Sequence, residues 1–317
     1  MHVSRTVRSL VVLAVVLLFG LAAVPAAAIQ IDPCDCEVED AVAFAADDAM
    51  RLTASQRRKA ERVHLPWGMP VAAASADNEV LLHSEHYVLA YDGDLRTPLW
   101  GAYRLTAADV SFDLDRTECF RIDPRLDAEV RSDCDDYEEP VFDRGHVVPS
   151  DAMSRSLEAM INTYVFSNMT PQHANFNRFL WQQLERYVRE WAEQHNEIFV
   201  ITGAVFDRDG DGVRDPDDEA VRMSTGGVAV ASHFYKIVLH EGPAGRIEAI
   251  AFVIPHNNDR ITGDARDPFL MECVRSIDEI ESLTGIDFSP EMDSLREMFV
   301  EQSKARRLWF RESIVDR

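Results

Sequence analysis

Residues 142–146 read Phe142-Asp143-Arg144-Gly145-His146, and a later stretch carries Asn177, Trp181, Glu185 and Arg189 at steps of four. An arginine two places before a histidine offers a phosphate contact beside a candidate general base. The glycine between them lets another backbone or a ligand come close. A histidine alone is more often an ordinary hydrogen-bonded residue than a catalyst, so the second stretch matters. Phe176, Phe179, Leu180, Leu184, Tyr187, Val188 and Trp191 form an apolar stripe that predicts one helix over 176–194. The four-residue steps place Asn177, Trp181, Glu185 and Arg189 along one face of it. Asn177 could aim its carbonyl oxygen at a hard cation, Glu185 could hold the water around that cation, and Arg189 could reach a phosphate. The competing reading is an N-cap asparagine followed by a surface Glu–Arg pair.

Outward from these stretches, residues 37–63 read as helix, and 79–91 and 99–105 as strands with Asp92-Gly93-Asp94 as turn chemistry between them. Residues 106–140 are polar and irregular. Ile198–Ile201, Val228–Leu239 and Ala249–Ile254 read as core strands, and 273–284 and 290–305 as helices. Such interleaving with hairpin-like turns predicts an α+β fold.

These segments together resemble the DNA/RNA non-specific endonuclease family, the ββα-metal (His-Me finger) nucleases. Asp143-Arg144-Gly145-His146 matches its DRGH, Ser167-Asn168-Met169-Thr170-Pro171-Gln172 its SN-x-x-PQ, and Asn177, Trp181 and Glu185 its N-x3-W-x3-E helix. Tyr87–Tyr91, Pro98–Trp100, Tyr103–Leu105, Arg116–Asp123, Phe234–Lys236 and Asp278–Phe288 look like further family segments, so the resemblance spans roughly 65–315. It implies a ββα-metal fold with a central, mainly antiparallel sheet flanked by helices. It implies a hydrolase for DNA and RNA with little sequence preference. His146 is then the general base and Asn177 the one direct protein ligand of Mg²⁺ (or Mn²⁺). Glu185 orients the waters of the cation, Arg144, Arg189 and Arg116 contact phosphate, and Asn168 positions substrate or His146. Arg121 competes with Arg116 for the third arginine role, and Asp143 supports the site.

The chain begins with Arg5 and Arg8, an apolar run from Leu10 to Val24, Pro25 and Ala26-Ala27-Ala28. That order reads as a signal peptide over 1–28, the alternative being an uncleaved anchor. A helical extension over 29–63 and an endonuclease domain over 64–317 follow. The mature protein is then expected in the periplasm or outside the cell, without stable membrane association. Five cysteines in an oxidising compartment predict disulfides, with Cys119–Cys134 the simplest pair and at least one thiol left over. The net charge of −23 counts against nucleic acid as a partner, because polyanion binders usually carry a basic footprint. A bound cation reverses the local sign. The basic residues are nearly all arginine, lysine occurring only at 59, 236 and 304, and arginine suits bidentate phosphate contacts.

One stretch lies outside the family pattern. Asp207, Asp209, Asp211, the Val213 carbonyl, Asp215 and Asp218 occupy positions 1, 3, 5, 7, 9 and 12 of a calcium loop, with Gly212 at position 6. The expectation is a structural Ca²⁺ site; a solvated acidic turn is the alternative. The chain as a whole has two competing readings: a non-catalytic nucleic-acid-binding protein on a nuclease-like fold, and a Ca²⁺-stabilised secreted structural protein. The first leaves His146, Asn177 and Glu185 idle, and the second leaves the DRGH segment unexplained. Oligomeric state stays open.

Overall fold

The computed structural model describes residues 33–73, 78–112, 114–138 and 140–309, which belong to one compact unit. The expected signal peptide over 1–28 lies outside the described residues. In chain order the elements are β1 (Pro33–Cys36), α1 (Asp40–Ala49), α2 (Ala54–His64), β2 (Val71–Ala72), β3 (Glu79–His83), β4 (Val88–Asp92), β5 (Thr97–Thr106), β6 (Cys119–Arg121) and β7 (Phe142–His146). There follow α3 (Leu157–Ile161), β8 (Met169–His173), α4 (Gln182–His195), β9 (Glu197–Val205), β10 (His233–Glu241), β11 (Ile247–Pro255), α5 (Arg266–Glu272), β12 (Val274–Arg275), α6 (Ile277–Thr284), β13 (Ile286–Asp287) and α7 (Ser294–Glu301).

The centre is a seven-stranded sheet in the order β12-β11-β10-β9-β5-β4-β3, antiparallel at every pairing. The expected α+β class with a central antiparallel sheet is what the chain adopts. β4 is buried along its whole length, and so is most of β5. This explains why Val88-Leu89-Ala90-Tyr91 lacks polar alternation: both faces of these strands are covered. Trp181, Leu184, Val188 and Trp191 of the helical segment pack into the same core as these strands. Among the described residues, no helix is long and apolar enough to cross a membrane.

Several boundaries differ from the sequence reading for local reasons. Residues 37–63 hold two helices, because Thr53 starts a new one with a capping box to Gln56. Residues 79–91 hold two strands, since the chain reverses where the Ser84 N–H donates to the Tyr87 carbonyl at 2.9 Å. The irregular stretch 106–140 conceals β6, which pairs with β1 and, through Arg121, bridges to Val165, both distant in sequence. Burial of the side chains carries more signal than periodicity in strands this short.

The disulfide expectation is corrected. Cys119 and Cys134 do not pair; the bridges are Cys36–Cys119 and Cys34–Cys134. β1 lies antiparallel to β6 with Cys36 opposite Cys119. Cys34, at an irregularity of β1 between Pro33 and Asp35, meets Cys134 and packs with it in a different hydrophobic cluster from Cys36 and Cys119. Nearness in sequence misled because strand pairing set the partners. Cys273 is the remaining thiol and is buried.

Candidate active site

β7 and β8 form a two-stranded ribbon, with Asp143 opposite Gln172, Gly145 opposite Thr170 and His146 opposite Met169. Gly145 is required by close approach: a Cβ there would lie 2.2 Å from Gln172 Cδ. Asn168, just before β8, is fully buried and spent on main chain. Its Oδ1 accepts from the Val148 N–H at 2.9 Å, and its Nδ2 donates to the carbonyls of Val148 (2.9 Å) and Thr163 (2.8 Å). Of the two expected uses for Asn168, these bonds favour positioning: they hold the chain that leaves His146.

His146 is 9% exposed and borders a cavity of about 430 Å³. Its ring packs edge-on against Tyr164, with centroids 4.6 Å apart. Nε2 is buried without a hydrogen-bond partner. Burial, with the positive charge of Arg116 nearby, pushes the imidazole pKa down to about 3. The ring is therefore neutral at physiological pH, the form able to take a proton.

Residues 176–181 form a π-helical turn that runs into α4, where the sequence predicts one regular helix. The wider turn changes which side chains share a face. Asn177 and Glu185 line the cavity together with Gln182. Trp181 instead points into the core, stacked on Phe176 with the Lys236 ammonium 4.3 Å from its ring centroid. The Asn177 Nδ2 donates to Asp143 Oδ2 at 3.0 Å, which leaves Oδ1 as the atom available to a cation. Asp143 also accepts from Arg178 Nε at 2.8 Å. Lys236, whose charge interacts with that of Glu185, is fully buried and donates to Thr202 Oγ1 at 3.2 Å. Burial raises the Glu185 carboxyl above its ordinary pKa and lowers the Lys236 ammonium, each opposed by the charge of the other.

The arginines divide clearly. Arg116 and Arg144 line the cavity, and Arg144 lies over the Phe120 ring at 3.9 Å. Arg121 has no exposed surface and binds Asp47, Ile161 and Asn162 in the interior. Of the two, Arg116 is the one that lines the cavity. Arg189 does not line the cavity; it pairs with Asp151, which does, at 3.1 Å. Sequence reasoning missed Glu118, Asp151 and Arg178 in the wall, and nothing in their local spacing marks them. Lys236 was findable: a lone lysine within Phe234-Tyr235-Lys236-Ile237-Val238 is a charge in a core strand.

A buried imidazole whose Nε2 has no partner, an asparagine oxygen and three arginines converge on one cavity, carried by a β-ribbon, the helical segment after it and, for Arg116, the segment before β6. Comparison with known proteins decides what this arrangement belongs to: residues 69–295 match the family described as DNA/RNA non-specific endonuclease. The chain belongs to that family. Among endonuclease-family relatives it is 32% identical to human mitochondrial endonuclease G over 211 residues, 66% of this chain and 69% of the human protein. It is 31% identical to nuclease C1 of Cunninghamella echinulata over 219 residues, 67% of this chain and 83% of that one. Human mitochondrial nuclease EXOG is 30% identical over 214 residues, and the match spans 56% of that protein's length.

The acidic loop lies apart from the residues lining this endonuclease-family cavity. Carboxylate oxygens of Asp207, Asp209 and Asp215 come within 4.8 Å of one another, whereas Asp211 and Asp218 stand outside that group. Asp207 already accepts from the N–H groups of Gly210 and Gly212 at 2.8 and 3.2 Å, and Asp211 from that of Val213 at 2.9 Å.

Proposed function

We propose that this protein is a metal-dependent endonuclease that hydrolyses phosphodiester bonds in DNA and RNA with little sequence preference. The observation that carries the reading is His146 Nε2, a buried base without a partner, in the same cavity as the freed oxygen of Asn177. That donor set fits one hard cation, Mg²⁺ or Mn²⁺: an amide oxygen binds it directly, with the Glu185 carboxylate beside it. When bound, the cation would stabilise negative charge on the phosphate in the transition state.

The residues then divide the work. His146 Nε2 takes a proton from water as the water oxygen bonds to phosphorus. The bond from phosphorus to the 3′-oxygen breaks, and that oxygen takes a proton from solvent. Arg144 and Arg116 hold the phosphate oxygens and offset the added charge. Arg189 acts through Asp151, orienting the cavity wall, and Asn168 keeps His146 in register. Contacts confined to phosphate and sugar carry no direct sequence information, so broad specificity follows.

The same reading includes export with loss of residues 1–28. Two disulfides support it, because such bonds persist in oxidising compartments. It also includes structural Ca²⁺ on the loop from Asp207 to Asp218, supported by the 1-3-5 spacing; an unchanged melting temperature in millimolar Ca²⁺ would remove that part. The central test is cleavage of supercoiled plasmid and structured RNA by the mature protein, with Mg²⁺, with EDTA, and with His146→Ala. Cutting of both substrates that needs metal and His146 is expected. A folded, metal-loaded protein that cuts neither would overturn the proposal.

A further inference from the structure

The catalytic cavity is poorly built to attract a polyanion. Arg116, Arg144 and Arg178 in its wall face Glu118, Asp143, Asp151 and Glu185, on a chain whose net charge is −23. A second groove, of about 670 Å³, has the opposite balance. Arg246 follows the β10–β11 turn, Arg296 lies on α7, and Lys304, Arg306 and Arg307 follow α7; Glu248 is the one acid in its lining. Phe299 stands on the groove wall with 70% of its surface exposed.

We propose that this groove is an exosite that docks a single nucleic-acid strand, phosphates on the arginines and a base against Phe299. The inference rests on the function proposed above and deepens it. A cationic track beside an exposed aromatic ring is the chemistry that binds unpaired strands without sequence preference. Arg296 and Arg306 make no ion pair among the described residues, whereas Arg246 pairs with Glu248 at 3.1 Å and Lys304 with Glu279 at 2.7 Å. The two pairs are solvent-exposed, and such pairs contribute little and exchange readily for phosphate.

The groove is also tied to the catalytic cavity by one rigid element. Trp309, at the groove, packs on His195 at the end of α4, with ring centroids 5.1 Å apart. Glu185, at the cavity, lies on the same helix, about 15 Å away along its axis. At roughly 3.4 Å per stacked nucleotide, about four or five nucleotides bridge that distance. A strand held in the groove would need at least that many further nucleotides to reach the catalytic cavity.

The test compares the native Mg²⁺-loaded protein with the double variant Arg296→Ser/Arg306→Ser and with Phe299→Ser. The probes are labelled single-stranded DNA of about 30 nucleotides and an oligonucleotide of about three, too short to span both sites. For the long strand, KM should rise about 5- to 10-fold with kcat unchanged, and the salt slope of log KM should fall by about 1.4 in the double variant. Cleavage of the short oligonucleotide should not change. An unchanged KM and salt slope on the long strand would overturn the exosite. If the native protein cuts neither probe, the endonuclease reading has failed, and fluorescence anisotropy with the long strand decides the groove separately. Weaker binding by the variants then supports it, and equal binding overturns it. Weaker binding of polyglutamate alone would assign the groove to an acidic polypeptide and also overturn it.

Discussion

Arg121 donates from Nε to Asp47 Oδ1 at 2.8 Å in the interior, joining α1 to β6 beside the Cys36–Cys119 bridge. Its Nη1 donates to the carbonyls of Ile161 and Cys119, and its Nη2 to Asn162 Oδ1. Removing one partner of a buried ion pair costs about 3–5 kcal/mol, because the other charge stays buried. Arg121→Met should therefore lower the melting temperature by many degrees. Arg116→Ala should leave it nearly unchanged while lowering kcat/KM on the order of 10²-fold. The reverse pattern, a stable Arg121 variant that is inactive, would exchange the roles of the two arginines.

The missing Cβ of Gly145 is filled by Gln172 from the facing strand. Gly145→Ala forces β7 and β8 apart, an overpacking cost of about 1–3 kcal/mol. His146 and Asn168 sit at the same end of this ribbon, so activity should drop along with stability. Denaturant unfolding beside plasmid cleavage checks this, and a variant with native stability would show that Gln172 can move aside.

His146→Ala should lower kcat on the order of 10²–10⁴-fold with little change in KM. Burial holds the imidazole far below its ordinary pKa, at about 3. A base is lost when it becomes protonated, so the acid limb set by His146 should lie well below pH 6.5. The pH profile of kcat/KM reads this directly, and a half-maximum near 6.5 would contradict the burial of the ring.

Glu301 lies among carboxylates: its oxygen, with those of Asp278 and Glu281, falls within 4.8 Å of the others. Burial chiefly, with repulsion from Glu297, Asp278 and Asp287, raises its pKa to about 7. An acid whose pKa rises on folding is bound as the neutral form in the native state. The resulting loss of stability is small near pH 4.5, builds up as pH rises from there to about 7, and is fully present above that. Gln keeps the acceptor that Ser289 Oγ uses. Glu301→Gln should therefore leave the melting temperature unchanged at pH 4.5 and raise it by about 2–4 °C at pH 8.5. A gain that does not depend on pH would mean that Glu301 is not protonated in the native state.

Peptide mapping without reductant should recover Cys34 with Cys134 and Cys36 with Cys119. The bridges join positions 100 and 83 residues apart. Long closed loops give the larger stabilisation, typically about 2–4 kcal/mol each. Cys36→Ser should accordingly lower stability more than any single surface substitution. Equal stability with and without reductant would remove this role.

Much of the site was legible in order along the chain. Asp143-Arg144-Gly145-His146 and the Asn177–Glu185 spacing identified a family, and with it a fold, because the chemistry requires those residue types at those separations. The long core strands announced themselves by their apolar runs. What the chain alone left open was whatever depends on partners distant in sequence. Arg116 and Arg121 are the same residue type five positions apart, and only packing against Asp47 and Asn162 buries one and leaves the other at the cavity. Cys119 found its partner through a strand more than 80 residues away, not through its nearest cysteine. Trp181 left the expected face because a π-turn over Phe176–Trp181 shifted it relative to Asn177, whereas Arg189, one regular turn beyond Glu185, is held at Asp151. The groove of Arg246, Arg296 and Arg306 has no sequence signature at all, since its charges converge from separate segments of an acidic chain only once the sheet and α7 are packed.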